Sequence, residues 1–307
     1  MLDAALLGTG GMMPLPWRFL TSLLLRFDGR LVMVDCGEGT QITLKLLGWG
    51  YKNLDAICFT HFHADHIAGL PGLLLTVGNS GREEPLTLVG PPGMGVVARS
   101  LCVIAQELPF EVNIVELPFE RGSPPRCLTL GDFHIAALPV DHRIPCFAYA
   151  FEFKRAGRFD TEKAHLNKVP MKAWNRLQKY ETVVLDGFAY TPEMVLGPPR
   201  TPIKAAYCTD TRPVKGLANF VKGSDLFICE GLHGDADALA KTAAHKHMIF
   251  QEAAAIAKAG GVNELWLTHF SPAMTNPENY IDAAKAVFPN SRVGKDRMTA
   301  TINYRKE

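Results

Sequence analysis

The sequence predicts a mixed α/β fold in which strands and helices form layers (α+β), rather than a regular array of βαβ units. Short apolar runs alternate with helix-like segments along almost the whole chain. The first strands follow one another as a meander, and helices intervene afterwards. The chain has 307 residues, of which 47% are hydrophobic, so it can bury the core that such layers need. This composition excludes a disordered or low-complexity protein.

The individual elements follow from these patterns in order. Apolar runs predicted to be strands lie at 4–7, 23–27, 31–35, 56–60, 86–89, 112–115, 133–138, 147–153, 205–208, 226–229, 264–268 and 299–304. Asp28 and Gly29, between the second and third runs, are typical of a hairpin turn. Helix-like segments lie at 40–47, 66–77, 95–107, 214–221, 250–259 and 277–287. The polar stretch 154–202 is only weakly periodic, and we predict an insertion without a core of its own.

The charge of the chain is unevenly distributed. The net charge is +1, yet residues 154–180 contain eight Lys or Arg and two acidic residues, which gives this stretch +6 and leaves −5 for the rest. A local basic stretch is typical of a surface that binds nucleic acid. We therefore predict a single domain spanning 1–307 with a basic arm inserted at 154–180.

The cysteines and the apolar runs predict the compartment. The seven cysteines are scattered without a CxxC pair, and most lie in apolar runs, which favours reduced, buried thiols in a cytoplasmic protein. No apolar run approaches the roughly 20 residues that a membrane helix needs. The start of the chain also lacks the basic and apolar regions of a signal peptide.

The segment His61-Phe62-His63-Ala64-Asp65-His66 gives the strongest indication of chemistry. It follows an apolar strand and precedes an apolar helix. His61 and His63 are two residues apart on extended chain and therefore point to the same side, whereas Asp65 and His66 begin the helix. Three imidazoles and a carboxylate within six residues suit a borderline divalent ion such as Zn²⁺. The segment predicts a metal site.

Further ligand-type residues follow other predicted strands, where loop ligands gather on a rigid scaffold. They are His142, Asp210 and His269. Each of them alone is compatible with a turn residue or a satisfied structural histidine. Together with the HxHxDH segment they give seven ligands, which suffice for two metal ions with a bridging carboxylate. The spacing does not reveal which ion each ligand serves.

These motifs resemble the metallo-β-lactamase superfamily, and the resemblance narrows to the ribonuclease Z family, the tRNA 3′-processing endonucleases. Segments similar to that family occur in order along nearly the whole chain, at 7–11 (LGTGG), 34–41 (VDCGEGTQ), 69–74 (GLPGLL), 90–93 (GPPG), 157–159 (GRF), 197–200 (GPPR), 209–212 (TDTR) and 268–271 (THFS).

The resemblance implies an αββα sandwich with a projecting arm and a site for two Zn²⁺ per chain at one edge. It further implies precursor tRNA as the substrate and a homodimer in which the arm of one subunit holds the tRNA. It divides the seven ligands between the ions as His61, His63 and His142 for one, Asp65, His66 and His269 for the other, and Asp210 as the bridge.

The same resemblance indicates a proton donor. His247 lies 22 residues before His269, where the family keeps a histidine, and Glu230 ends the run 226–229 as its carboxylate partner. His247 is the predicted general acid and Glu230 the residue that orients it, and with Asp65 they are the predicted catalytic residues. The four remaining histidines are predicted to be surface or structural residues: His134, His165, His233 and His245.

The predicted function is a zinc-dependent endoribonuclease that removes the 3′ trailer of precursor tRNA by two-metal phosphodiester hydrolysis. One alternative is a phosphodiesterase that uses the same site on small or cyclic diesters. Another, of a different class, is a metal-dependent binding or redox protein of the same fold. Metal content and turnover of a chromogenic phosphodiester would separate these classes.

Overall fold

The structure, a computed structural model, describes residues 1–155, 157–198 and 200–305. Ala156 of the predicted arm and Pro199 of the segment 197–200 lie outside the described residues, as do Lys306 and Glu307. The chain divides into two compact units. The larger comprises 1–152 and 204–303, and the smaller comprises 153–203 and 304–307.

Strands are numbered here in chain order, and two seven-stranded sheets contain most of them. The strands of the first sheet are β1 (Leu2–Gly8), β2 (Ser22–Phe27), β3 (Arg30–Val34), β4 (Leu54–Cys58), β5 (Leu86–Gly90), β6 (Val112–Glu116) and β16 (Thr299–Ile302). Those of the second are β7 (Arg126–Leu130), β8 (Phe133–Pro139), β9 (Phe147–Arg155), β12 (Arg200–Cys208), β13 (Leu226–Glu230), β14 (Leu265–Thr268) and β15 (Ser291–Val293).

Each sheet combines an antiparallel and a parallel half. The first has the order β16-β1-β2-β3-β4-β5-β6, with antiparallel pairs as far as β3 and parallel pairs from β3 to β6. The second has the order β15-β14-β13-β12-β9-β8-β7, with β12 to β15 parallel and β7 to β9 antiparallel. Parallel neighbours place their carboxyl ends at one edge, which gathers the loops that follow them.

The helices belong to both units, and most of those in the larger unit pack apolar faces on its two sheets. Their bounds are α1 (Thr40–Leu47), α2 (Ala64–Ile67), α3 (Leu70–Asn79), α4 (Met94–Leu101), α5 (Thr161–Leu166), α6 (Met171–Gln178), α7 (Leu217–Phe220), α8 (Leu239–Ala244), α9 (Phe250–Gly260) and α10 (Ile281–Lys285). Helices α1, α3 and α4 share a buried cluster with the first sheet, and α7, α9 and α10 share one with the second. The predicted layered α/β fold is therefore confirmed.

The predicted helix 66–77 is interrupted, because the chain passes very close to another loop at Gly69. A Cβ at Gly69 would lie 2.1 Å from the carbonyl oxygen of Gly37. The Gly69 N–H also donates to the carbonyl of Cys36. Strands β7 and β15 were not predicted. β7 is half exposed along its length and β15 has three residues, so neither produces a clear apolar run.

The smaller unit has a core of its own, so the prediction of a coreless insertion at 154–202 is wrong. Helices α5 and α6 and the hairpin of β10 (Val183–Leu185) and β11 (Phe188–Tyr190) contribute to it. Its buried members are Ala164, Val169, Ala173, Leu177, Val183, Val195 and Leu196. Trp174 closes the cluster, since its ring lies 5.0 Å from that of Phe159 and its Nε1 donates to the carbonyl of Val169.

The seven cysteines are all free, and Cys36, Cys58, Cys146, Cys208 and Cys229 are buried. Among the described residues, no helix combines the length and the apolar character needed to cross a membrane.

Candidate metal centre

All seven predicted metal ligands come together at one edge of the larger unit, directly after strand ends. His61, His63, Asp65 and His66 follow β4, His142 follows β8, Asp210 follows β12 and His269 follows β14. Asp210 and His269 have positive φ values of 55° and 58°, a backbone region that residues other than glycine rarely adopt. Such backbone strain is typical of functional sites, where the surrounding structure holds a residue in place.

The first group of ligand atoms belongs to His61, His63, His142 and Asp210. The Nδ1 atom of His63 lies 2.9 Å from His61 Nε2 and 3.2 Å from His142 Nε2. Asp210 Oδ1 lies 3.8 Å from both Nε2 atoms. Three imidazole nitrogens and one carboxylate oxygen thus face a common point.

The second group belongs to Asp65, His66 and His269, and Asp210 contributes its other oxygen. The Nε2 atoms of His66 and His269 are 3.1 Å apart. Asp65 Oδ2 lies 3.6 Å and 3.4 Å from these two atoms, and Asp210 Oδ2 lies 3.1 Å and 3.3 Å from them. Asp210 therefore directs one oxygen to each group.

These donor separations fit a pair of divalent ions. A tetrahedral Zn²⁺ with bonds of about 2.0–2.1 Å places neighbouring ligand nitrogens about 3.3–3.4 Å apart, close to the separations found in both groups. The structure brings together the same two sets that the family resemblance implies. The assignment of each set to an ion stays a prediction.

Outer hydrogen bonds orient the imidazoles for metal binding. His66 Nδ1 donates to Asp35 Oδ2 at 2.8 Å, which leaves the lone pair of Nε2 facing the second group. The Thr60 hydroxyl lies 2.9–3.0 Å from the oxygens of Asp35 and 3.0 Å from His61 Nδ1. Because the hydroxyl donates to Asp35, its oxygen accepts from His61 Nδ1, so His61 also turns an unprotonated Nε2 inward.

The sequence did not predict Asp35 and Thr60 as site residues. Asp35 is fully buried, and it also accepts a hydrogen bond from the backbone N–H of Thr60 at 2.8 Å. Asp35 lies in the segment 34–41, which resembles the ribonuclease Z family but does not indicate that this aspartate contacts a metal ligand.

The electrostatics of the cluster favour bound cations. Burial opposes charge on His66, but the carboxylates of Asp210, Asp35 and Asp65 outweigh it and raise the pKa of this imidazole well above its ordinary value, so without metal they stabilise a proton where a metal cation would bind. Burial likewise opposes charge on Asp210, yet the surrounding imidazoles hold the pKa of its carboxyl well below the usual range. Burial lowers the pKa of His142 to about 4, which favours the neutral imidazole that binds metals.

The predicted acid and its partner are in contact beside the ligands. His247 Nδ1 lies 2.9 Å from Glu230 Oε2, and the other oxygen of Glu230 accepts from the backbone N–H of Thr211 at 2.6 Å. Burial opposes protonation of His247, but the Glu230 carboxylate outweighs it and raises the pKa of the imidazole to about 9. The same ring lies 3.7 Å from Asp210 Oδ1. A protonated imidazole is thus held at the edge of the ligand cluster.

A cavity of about 450 Å³ opens beside the ligands and His247. Its wall includes Arg143, His233, Lys241 and His245. The prediction that His233 and His245 are surface or structural residues is therefore incomplete, because both line the cavity of the site. His134 and His165 lie elsewhere.

Comparison with known proteins places the chain among its relatives. The sequence model of the metallo-β-lactamase superfamily matches residues 15–101. The chain is 52% identical to Ribonuclease Z of Clostridium kluyveri over 306 residues, which covers 100% of both proteins. It is 49% identical to Ribonuclease Z of Lachnoclostridium phytofermentans, covering 100% of this chain and 99% of the relative.

Solved structures agree on the fold. The short form of human tRNase Z superposes with a TM-score of 0.71 at 24% identity, covering 98% of this chain and 99% of the other. A long form RNase Z from yeast gives 0.67 at 17% identity, covering 97% of this chain and 41% of the other. The predicted metallo-β-lactamase αββα fold is confirmed by these matches and by the two sheets with their helices.

Proposed function

The chain belongs to the ribonuclease Z family, and we propose that it removes the 3′ trailer of precursor tRNA by metal-dependent hydrolysis of one phosphodiester bond. The observation that carries this proposal is the convergence of seven ligand-type side chains into two groups that share Asp210. A metal-dependent nuclease needs this arrangement together with a proton donor, and His247 lies beside it.

We propose that the two groups hold two divalent ions, and that these ions are Zn²⁺. Imidazole and carboxylate donors at tetrahedral spacing suit this ion. Two such ions, when bound, activate water and stabilise charge on the phosphoryl oxygens. Asp35 and Thr60 support the ligands from outside by fixing the tautomers of His66 and His61.

The protein supplies the proton that the leaving oxygen requires. In the metal-free protein the Glu230 carboxylate raises the pKa of His247 to about 9, and a ring that Glu230 keeps protonated can donate to that oxygen. Glu230 holds the ring in position and stabilises its charge. Asp65 is fixed by the backbone N–H of Met12, which donates to its Oδ2 at 2.7 Å. In addition to its role as a ligand, we propose that Asp65 orients the attacking water.

The basic arm is the proposed contact for the body of the precursor tRNA. Lys168, Lys172 and Lys179 are exposed on the smaller unit. Cations of this kind neutralise backbone phosphates without reading sequence. In keeping with the family resemblance, we also propose a homodimer in which the arm of one subunit binds tRNA. The buried free thiols support a reducing compartment, and we propose the cytoplasm.

The direct test is incubation of the metal-loaded protein with a precursor tRNA that carries a 3′ trailer, followed by mapping of the cut. We expect one cut that separates the trailer from the tRNA body, and no cut by the Asp210→Asn variant. A protein that hydrolyses small phosphodiesters but leaves the precursor intact would contradict tRNA processing and favour the small-diester alternative.

A further inference from the structure

A second group of polar side chains lines the cavity that the ligands and the predicted acid share. Arg143, His233, Lys241 and His245 all line the cavity next to His247. Arg143 directly follows the ligand His142, and His245 precedes His247 by two residues. None of the four is one of the seven metal ligands or the proton donor.

Arg143 and Lys241 bring positive charge to this wall without a carboxylate to balance it. Arg143 Nη2 lies 2.7 Å from His245 Nδ1, and among the described residues no carboxylate lies within ion-pair distance of Arg143 or Lys241. Their basic neighbours differ in this respect, because Lys246 and Arg121 both pair with Asp141. The two unbalanced cations can therefore attract an anion into the cavity.

The hydrogen bonds of His245 and His233 make them a donor and an acceptor. A guanidinium can only donate, so His245 Nδ1 accepts from Arg143 and the ring proton is on Nε2. The Thr242 hydroxyl donates to the carbonyl of Ala238 at 2.7 Å, so its oxygen accepts from His233 Nδ1 at 3.0 Å.

The remaining nitrogen of His233 is then an acceptor whenever the ring is neutral. Burial lowers the pKa of His233, and the charge of Lys241 lowers it further. Thr242 is buried, whereas His233 is half-buried and lines the cavity, so the Nδ1 edge is turned to the protein interior and Nε2 is the edge left for a ligand. An acceptor next to several phosphate donors matches a ribose hydroxyl next to a phosphate.

We propose that these four side chains form a subsite for the ribonucleotide that carries the leaving oxygen. Arg143, Lys241 and the Nε2–H of His245 bind the backbone phosphate next to the cleaved bond. His233 Nε2 accepts a hydrogen bond from the 2′-hydroxyl. The subsite adjoins His247 because the leaving oxygen receives its proton from this residue, and the nucleotide attached to that oxygen then occupies the same cavity. The inference rests on the proposed function and adds a means of distinguishing RNA from DNA.

The test combines altered substrates with altered protein. One precursor carries a neutral methylphosphonate in place of the phosphate next to the cleaved bond, on the fragment that keeps the leaving oxygen. A second carries a 2′-deoxyribose at that nucleotide. For each of these and for the unmodified precursor, kcat/KM is measured with the wild type, Arg143→Ala and His233→Phe. Arg99→Ala is the matched control, because Arg99 is exposed on α4 and does not line the cavity.

We expect Arg143→Ala to lower kcat/KM about 10–100-fold on the unmodified precursor, the size of the effect when a hydrogen bond to a charged group is removed. On the methylphosphonate precursor the further decrease should be within about twofold, because that substrate no longer offers the charged partner. His233→Phe should lower kcat/KM about fivefold on the unmodified precursor and no further on the deoxy precursor. Metal content and the circular dichroism spectrum of each variant serve as checks on folding.

If the decreases in kcat/KM caused by Arg143→Ala and by the methylphosphonate are additive, the phosphate contact is overturned. If those caused by His233→Phe and by the 2′-deoxyribose are additive, the hydroxyl contact is overturned. If Arg99→Ala is coupled to the methylphosphonate as strongly as Arg143→Ala is, the effect comes from general surface charge, and the subsite is overturned. A wild-type protein that does not cleave the unmodified precursor would overturn the proposed function and the subsite together. That outcome is distinct from normal wild-type cleavage without coupling, which would overturn the subsite alone.

Discussion

The Thr60→Val substitution tests how the buried Asp35 supports the metal centre. Valine keeps the shape of threonine but removes the hydroxyl that links Asp35 to His61. The backbone N–H of residue 60 still donates to Asp35, and Asp35 still accepts from His66. We therefore expect a selective decrease of Zn²⁺ affinity in the group that contains His61, and a smaller change in the group that contains His66.

The magnitude follows from the burial of these atoms. Thr60 and His61 are fully buried, so His61 Nδ1 is left without its acceptor and without water. An unsatisfied buried donor costs about 1–3 kcal/mol, which is roughly 5–150-fold in an equilibrium constant. Removal of an outer partner of a ligating histidine has an effect of about 10–100-fold on metal affinity. The Sγ atom of Cys146, 3.8 Å from His61 Nδ1, is too weak an acceptor to replace the hydroxyl.

The assay is a titration of metal-free protein with Zn²⁺ in competition with a chromophoric chelator, which resolves two dissociation constants. Thr60→Ser is the matched control, because serine restores the hydroxyl and should restore the affinity. Two constants in Thr60→Val that equal those of the wild type would refute the proposed link. Equal weakening of both constants would show that Thr60 acts on the whole centre and not through His61.

Four further outcomes are expected. The His247→Ala substitution should slow precursor cleavage by about 10²-fold or more with metal content unchanged, and should slow a nitrophenyl diester less, because nitrophenolate needs little protonation. In metal-free protein, the pair with Glu230 raises the pKa of His247 to about 9, against 6.5 for the ordinary imidazole. The stabilisation from this pair is therefore complete below about pH 6.5 and is lost as the pH rises through 9. The difference in unfolding free energy between wild type and His247→Ala, measured by denaturant, should decline over that interval. Replacing Lys168, Lys172 and Lys179 by Gln should reduce the slope of log affinity for tRNA against log salt by about 0.7–0.9 for each phosphate that the arm no longer neutralises, and an unchanged slope would exclude these lysines from binding. Chelation should abolish activity but leave the circular dichroism spectrum of a folded protein, because two large apolar clusters remain packed without metal.

The ligand cluster could be predicted from sequence because its members are His and Asp residues that follow the ends of predicted strands. His61 to His66 are contiguous, and each later ligand directly follows a buried strand. The contact between Asp35 and His66 could not be predicted in this way. It depends on the parallel pairing of β3 with β4, which aligns Val34 with Cys58 and places the two strand ends side by side. A single aspartate after a strand carries no sign of that pairing.

The features that could not be predicted depend on tertiary contacts between sparsely apolar segments. The core of the smaller unit uses isolated residues such as Val169, Ala173 and Leu177, and the polar residues between them mask their periodicity. His233 and His245 resemble surface residues in the sequence because their side-chain partners, Thr242 on α8 and Arg143 after β8, come near them only in the folded protein.

The central claim is that this protein hydrolyses a phosphodiester bond of precursor tRNA with water at the seven-residue cluster. Cleavage in water enriched in ¹⁸O, followed by mass spectrometry of the new ends, tests it most directly. Hydrolysis predicts a hydroxyl at one new end and, at the other, a phosphomonoester that carries one ¹⁸O atom. A 2′,3′-cyclic phosphate would mean that a ribose hydroxyl attacks the phosphorus, and a phosphomonoester without ¹⁸O would mean that water does not attack the phosphorus; either result would contradict hydrolysis at this site.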